Sequence, residues 1–346
     1  MREVAVVSFA KRVVAHSELD EVEMLAPCIT EALAAAKVDR REVGVTVSGS
    51  CDYLGGRPFS FVTALDAVGA WPPIRESHVE MDGAWALYEA WVALQHGDVD
   101  VALVYAFGRS SQGALHDVLA AQLDPYTVAP LGVDARSLAA LQARTMIDAG
   151  VCTERQMAET AARARANASP GTSVAASVET MLEAPYVASP LRAHDCGPPA
   201  DAVAAVVLVA GDRARAACSL PAFVRGIDHR VEPHALGARD LTRSTSIALA
   251  AAKAGLSPSL PIDVAAIDAP FSHQEILVRL ALGLGDRVRV NAAGSALAAW
   301  PYVVSGLLRI GEAASAIHAG EANRVVAHAT SGPCLQQNLV CVMEAS

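Results

Sequence analysis

The sequence predicts an α/β fold built from two similar halves, and three observations carry that reading. Short apolar runs alternate with helix-period segments through the first hundred residues. Those runs lack polar alternation, as expected of strands in a largely covered sheet. A helix-then-strand pattern from the first half then returns, in the same order, in the second.

The first half reads as follows. Residues 4–9 are a continuous apolar run and form the first strand, with charge on both sides, so this start reads as structure and not as a signal peptide. Residues 21–36 place Met24, Leu25, Cys28, Ile29 and Leu33 at helical spacing. A second strand at 43–48 leads into the glycine-rich stretch 49–56, which lacks the Lys-Ser/Thr ending of a phosphate cradle and reads as the lining of a pocket or a dimer joint. A helix over 59–68 is expected to stop at Trp71-Pro72-Pro73. A short strand at 77–81, the Asp82-Gly83 turn, a helix over 84–95 and a strand over 99–106 complete the alternation.

The middle is less regular. Residues 108–132 are loop-rich around the Asp124-Pro125-Tyr126 turn and read as a tunnel wall or as a plain excursion. Helices are expected at 135–149 and 154–168, a breaker within 167–171, and a short helix with an extended segment at 181–190. The run 203–209 is a strand, and 213–219 leads to the extended segment 222–227.

The second half repeats the first. The helix 31–37 and strand 43–47 have a counterpart in 247–253 and 264–267. The helix 85–95, the Gly97-Asp98 pair and the strand 99–105 have a counterpart in 305–318, Gly320-Glu321 and 325–329. Two matched units in order imply an internal duplication, with 1–220 as the first half plus a loop insertion and 221–346 as the second.

The stretch 290–312 organises this second half: an apolar strand end meets the small-residue loop Asn291-Ala292-Ala293-Gly294-Ser295 and then an apolar helix. Such a loop lets a ligand approach the backbone, or simply makes a tight turn. Gly83 and Gly294 each lie ahead of a matched helix, so the two are expected to face each other across the joint between the halves. Helix N-termini there offer free N–H groups to an oxyanion or a thioester oxygen.

Composition narrows the partners. Apolar residues make up 53% and charged residues 18%, which fits a packed domain and excludes a disordered chain. The net charge is −10 with scattered Lys and Arg, which argues against nucleic acid. No apolar run has the length of a membrane span. Seven dispersed cysteines, without a CxxC pair or zinc spacing, imply reduced thiols in a cytoplasmic protein with no metal site.

With the duplication, Asp195-Cys196 ahead of the apolar run from Asp201, Ala269-Pro270-Phe271-Ser272-His273-Gln274-Glu275, Val290-Asn291-Ala292-Ala293-Gly294 and Gly332-Pro333-Cys334, the chain resembles the thiolase superfamily. Its nearest branch is the sterol-carrier-protein-type thiolases, or lipid-transfer proteins, which include aldolases that cut side chains from steroid acyl-CoA thioesters. The resemblance covers essentially the whole chain and implies a thiolase-like fold of two duplicated halves, layered αβαβα. It also implies four catalytic positions. Gly83 stands where the nucleophilic cysteine is expected, Asp268 where a histidine or, in the aldolases, a tyrosine stands, and Trp300 where the histidine of a Gly-His-Pro motif stands. Cys334 fits the position of the cysteine that moves the substrate α-proton.

These departures remove the route through an acyl-enzyme. A retro-aldol cleavage of a β-hydroxyacyl-CoA needs only a base and a stabilised enolate. Asp268, Tyr302 and Cys334 are the candidate catalytic groups, and Gly83, Asn291, Gly294, Trp300 and His328 the candidate substrate-binding positions. Each has a plain structural alternative: a turn cap for Asp268, a buried apolar residue for Cys334, a core histidine for His328, a loop anchor for Asn291, a helix-start packing residue for His273. Three functions stand open: a C–C lyase or acyltransferase acting on bulky acyl-CoA, a catalytically silent subunit, and a lipid carrier. The resemblance further implies a homodimer or a heterodimer with a related thiolase-like chain, a small OB-fold zinc-ribbon partner, and no cofactor beyond the CoA of the substrate.

Overall fold

The chain's apolar runs become ten strands of a central sheet. The computed structural model describes residues 2–69, 73–168 and 176–345. The expected helix stop at Trp71-Pro72 and part of the expected breaker at 167–171 lie outside them. In chain order the first half contains β1 (Val4–Val14), α1 (Glu21–Ala35), β2 (Val45–Gly49), α2 (Asp52–Gly55), α3 (Phe61–Val68), β3 (Arg75–Val79), α4 (Gly83–His96) and β4 (Val101–Arg109). An excursion follows with α5 (Leu115–Ala121), α6 (Ala135–Asp148), α7 (Glu154–Ala166), α8 (Val178–Glu183) and the small ribbon β5 (Tyr186–Ala188) and β6 (Leu191–Arg192). The chain returns through β7 (Asp201–Ala210) and α9 (Arg213–Ala217). Beyond them lie β8 (Ala222–Val231), α10 (Thr245–Lys253), β9 (Val264–Ile267), α11 (Ser272–Ala281), β10 (Arg289–Val290), α12 (Ser305–His318), β11 (Arg324–Ser331) and β12 (Gln337–Glu344).

Strand order makes the duplication visible. The sheet runs β3-β2-β4-β7-β1, then β8-β12-β11-β9-β10, so each half repeats the same order away from the β1–β8 seam. The pairings also repeat: β2 is parallel to β3 and β4 as β9 is to β10 and β11, and β4–β7–β1 is antiparallel as β11–β12–β8 is. The seam is short, with Ala5 opposite Phe223 and Val6 opposite Ala222.

Burial assigns the layers. Along β7, Ala202, Ala204, Val206 and Leu208 face a core shared with α4 and α12, while Val203, Ala205, Val207 and Val209 face a core shared with α1 and α3. Successive strand side chains point to opposite faces, so both faces of this strand are dry, which is why its sequence shows no polar alternation. In the second half β11 and β12 likewise divide between the shared core and a third core with α10 and α11. The resulting order is helices, sheet, the central pair α4 and α12, sheet, helices.

Three elements depart from the sequence reading. β1 extends to Val14 because it pairs with β7 as far as Asp201. The glycine-rich stretch holds a helical turn, α2, closed by Gly56 in the left-handed region at φ 67°. The loop-rich segment contains α5, and the adjoining α6 supplies Ala139, Ala143 and Met146 to the core of the second half.

Candidate active site

The site is built where α4 and α12 begin. Asp82 is the N-cap of α4: its Oδ1 accepts from Ala84 N at 2.8 Å. The same carboxyl reaches across the joint, Oδ1 accepting from Leu307 N at 3.1 Å and Oδ2 from Gly306 N at 2.8 Å. One carboxyl therefore caps a helix from each half. Burial pushes Asp82 well above the ordinary carboxylate range and the charge of Asp268 adds to this, while the three N–H donors oppose it.

Such an approach needs glycine on both sides. A Cβ on Gly306 would lie 2.5 Å from both Asp82 Oδ1 and Ala329 Cβ. A Cβ on Gly83 would lie 2.6 Å from Ala106 Cβ and 2.9 Å from Leu307 Cδ2. Position 83 thus lacks a thiol and also lacks the space for one.

Asp268 follows β9 directly. Its N–H donates to His328 O at 3.1 Å, continuing the ladder to β11. The carboxyl is buried, and its Oδ1 accepts from Ser305 Oγ at 2.6 Å. Burial pushes Asp268 up to about 6, held there by the Ser305 hydroxyl, the Arg309 charge and the Thr330 N–H. A carboxyl poised there is ionised at neutral pH yet basic enough to take a proton.

Four of the sequence candidates meet at one narrow cavity of about 50 Å³, lined by Asp268, Trp300, Tyr302 and Cys334 together with Phe271 and Gln274. That holds a few water molecules, against the hundreds of Å³ of a typical ligand pocket. The rings of Trp300 and Tyr302 meet edge to face at 5.8 Å. The hydroxyl oxygen of Tyr302 accepts from Gln122 Nε2, and burial raises its pKa, so the phenol keeps a proton to donate. Cys334 sits in the left-handed region at φ 53° and its Sγ donates to Leu138 O at 3.4 Å. Burial pushes this thiol up to about 12, so it is a proton donor and not a base at neutral pH. Arg239 holds the turn, donating to Cys334 O at 3.1 Å and Pro333 O at 2.7 Å.

The other candidates stand apart from that cavity. Asn291 has φ 52° and anchors the loop: its Oδ1 accepts from Ile267 N at 2.7 Å and its Nδ2 donates to Glu275 Oε2 at 2.8 Å. Gly294 does not face Gly83; its Cα-side neighbour is Ala168, and its carbonyl accepts from Arg309 Nη1 at 2.6 Å beside a separate cleft containing Lys11 and Arg12. The helix start opposite Gly83 is that of Ser305 and Gly306, because ten residues of loop and turn separate Gly294 from α12. His328 is buried, pairs through Nε2 with Asn338 Oδ1 at 3.0 Å, and is pushed down to about 4 by burial. His273 is likewise buried at the start of α11, as a packing residue would be.

Asp82, Ser305, Gln122 and Arg309 are not among the site residues the sequence points to. Asp82 carried a signal, an Asp one residue before a helix, that also fits a turn. Nothing in the sequence joins Ser305 to Asp268, 37 residues away.

No family model and no curated relative matches the chain. Solved structures do. A human mitochondrial 3-ketoacyl-CoA thiolase superposes with a TM-score of 0.81 at 15% identity, covering 100% of this chain and 99% of the other. The chain has the thiolase fold. An Ltp2-ChsH2(DUF35) aldolase superposes with a TM-score of 0.80 at 19% identity, over 99% and 98% of the two chains. The human thiolase in complex with CoA gives 0.80 at 16% identity, over 100% and 98%. At such identities the likeness is one of thiolase fold, and the chemistry rests on the residues in place. Among the described residues no helix is long and apolar enough to cross a membrane, and no group of three or more His, Cys, Asp or Glu forms a metal site.

Proposed function

We propose that this chain is an acyl-CoA enzyme subunit that cleaves the Cα–Cβ bond of a bulky, steroid or lipid, β-hydroxyacyl-CoA by acid–base chemistry, without a covalent acyl-enzyme. The observation that carries the reading is Asp268: a buried carboxyl near pH 6 that borders the same cavity as the phenol of Tyr302 and the thiol of Cys334. The absence of room at Gly83 supports a route without a nucleophile.

In this reading Asp268 takes the proton of the β-hydroxyl. The C–O bond becomes a carbonyl as the Cα–Cβ bond breaks, and the electron pair passes into the enolate of the shortened acyl-CoA. Tyr302 donates a hydrogen bond to the enolate oxygen. The Cys334 thiol protonates Cα, and the proton on Asp268 restores the thiol. The cavity of about 50 Å³ has room for the reacting atoms only, so the acyl chain lies outside it.

The test is co-expression with the neighbouring genes and assay of β-hydroxyacyl-CoA cleavage. Asp268→Asn is expected to lower the rate by about 10²–10⁴-fold, the usual contribution of a positioned base. Full activity in that variant would remove Asp268 from the mechanism.

A second reading has its own support. A cavity of about 50 Å³ and a filled position 83 also suit a catalytically silent subunit that supports an active partner. The neighbour named as an aldolase contains a DUF35 protein, which supports a heteromeric assembly with a small OB-fold zinc-ribbon or a related thiolase-fold chain. Cleavage that needs this chain but ignores Asp268→Asn decides for the silent subunit. In either case we assign residues 1–220 and 221–346 to the two copies of an ancestral lobe.

A further inference from the structure

Ser305 is the first residue of α12, fully buried, and its hydroxyl has one described acceptor, Asp268 Oδ1 at 2.6 Å. The cavity is lined by Asp268 but not by Ser305, so the hydroxyl stands behind the carboxyl. The backbone that carries it is fixed at the next two residues, where Asp82 takes the N–H groups of Gly306 and Leu307. Asp82 is itself tied to α4 through Ala84 N.

We propose that Ser305 is a positioning residue for Asp268: locked by the Asp82 cap across the joint, it engages Oδ1 and leaves Oδ2 as the oxygen that meets substrate. This rests on the assignment of Asp268 as base and adds the group that orients it and sets its basicity. The donor is neutral and its acceptor ionisable, so the bond favours the carboxylate. The other polar or charged groups around Asp268 are Asp82 before α4, Arg309 on α12, Tyr302 ahead of α12, and His328 and the Thr330 N–H on β11. Ser305 alone among the side chains touches the carboxyl by a described hydrogen bond.

The experiment is a titration of the full chain labelled with ¹³C at aspartate carboxyls, with Asp268→Asn assigning the signal. Ser305→Ala keeps a helix-forming residue and removes only the hydroxyl. The Asp268 midpoint is expected to rise by about one pH unit, the size of one lost hydrogen bond to a carboxylate. The acidic limb of kcat/KM for the co-expressed enzyme should move up by the same amount, and Ser305→Thr should return both toward wild type. An unchanged carboxyl midpoint in Ser305→Ala would overturn the proposal, because a packing residue would leave it in place. A shifted midpoint in a chain without any cleavage activity would instead uphold the positioning and sink the lyase reading.

Discussion

The two central helices are both 14 residues long and occupy matching places in their halves, yet they open with opposite chemistry. α4 starts at Gly83, where Ala106 and Leu307 fill the space a side chain would need. α12 starts at Ser305, whose hydroxyl is bonded to an acid. The difference teaches that only one of the two helices begins with a polar side chain of its own. Asp82 makes this possible by satisfying the N–H groups of both helix starts with one carboxyl. A carboxyl from the chain itself occupies the place that two free N-termini would offer to a ligand.

The most severe way to break the comparison is to remove that shared cap. Asp82→Ala leaves three buried N–H donors without a partner, and each orphaned buried donor costs about 1–3 kcal/mol. A loss of about 3–5 kcal/mol in unfolding free energy is expected by chemical denaturation. A loss below about 1 kcal/mol would show that the two helix starts do not depend on Asp82.

Next in size is an attempt to make the two helix starts alike. Gly83→Cys places a thiol where the resemblance to thiolases leads one to expect it, but its Cβ meets Ala106 at 2.6 Å. Overpacking of this kind costs about 1–3 kcal/mol. The variant is also expected to form no acyl adduct when incubated with an acyl-CoA and weighed by intact-mass spectrometry. A stable variant that gains the mass of an acyl group would mean the joint is more open than its packing implies.

How much of this was legible beforehand differs between the same two regions. Strand and helix positions followed from long apolar runs and helical periodicity, because burial on both faces of β4 and β7 leaves no other pattern open. The gathering of Asp268, Trp300, Tyr302 and Cys334 about one cavity was approachable, since each sits in a motif whose order could be compared. That Gly83 meets the start of α12 at Ser305 and Gly306, and not Gly294, was hidden. Spacing from a helix start is visible in a sequence only if the loop before it is straightforward, and here the 291–304 segment folds away toward Ala168 and Arg309. Asp82 was hidden for a different reason: a cap that serves two helices from distant parts of the chain looks the same locally as a cap that serves one.

A finer instrument is the pH dependence of stability, which reads the joint without any substrate. The pKa of Asp268 rises from 3.8 to about 6 on folding, so the native state binds its proton more tightly than the unfolded chain. Its contribution therefore favours folding at low pH and is lost as pH rises from about 4 through 6. His328 and His273 act in the opposite sense: burial lowers them from 6.5 to about 4 and about 3, and their contribution is lost as pH falls below 6.5. The raw stability curve mixes these slopes, but the difference between wild type and Asp268→Asn cancels the histidines. Asparagine mimics the protonated acid and still accepts from Ser305. The variant should match wild type near pH 4 and exceed it at pH 8 by about 1–3 kcal/mol, since each pKa unit is worth about 1.4 kcal/mol. A buried carboxylate held above its natural pKa costs stability where it is ionised, so on the proposed reading the variant that loses the base should gain resistance to denaturant in the same pH range. Equal stabilities at pH 8 would place Asp268 in an ordinary solvated environment and remove the reason for calling it a base.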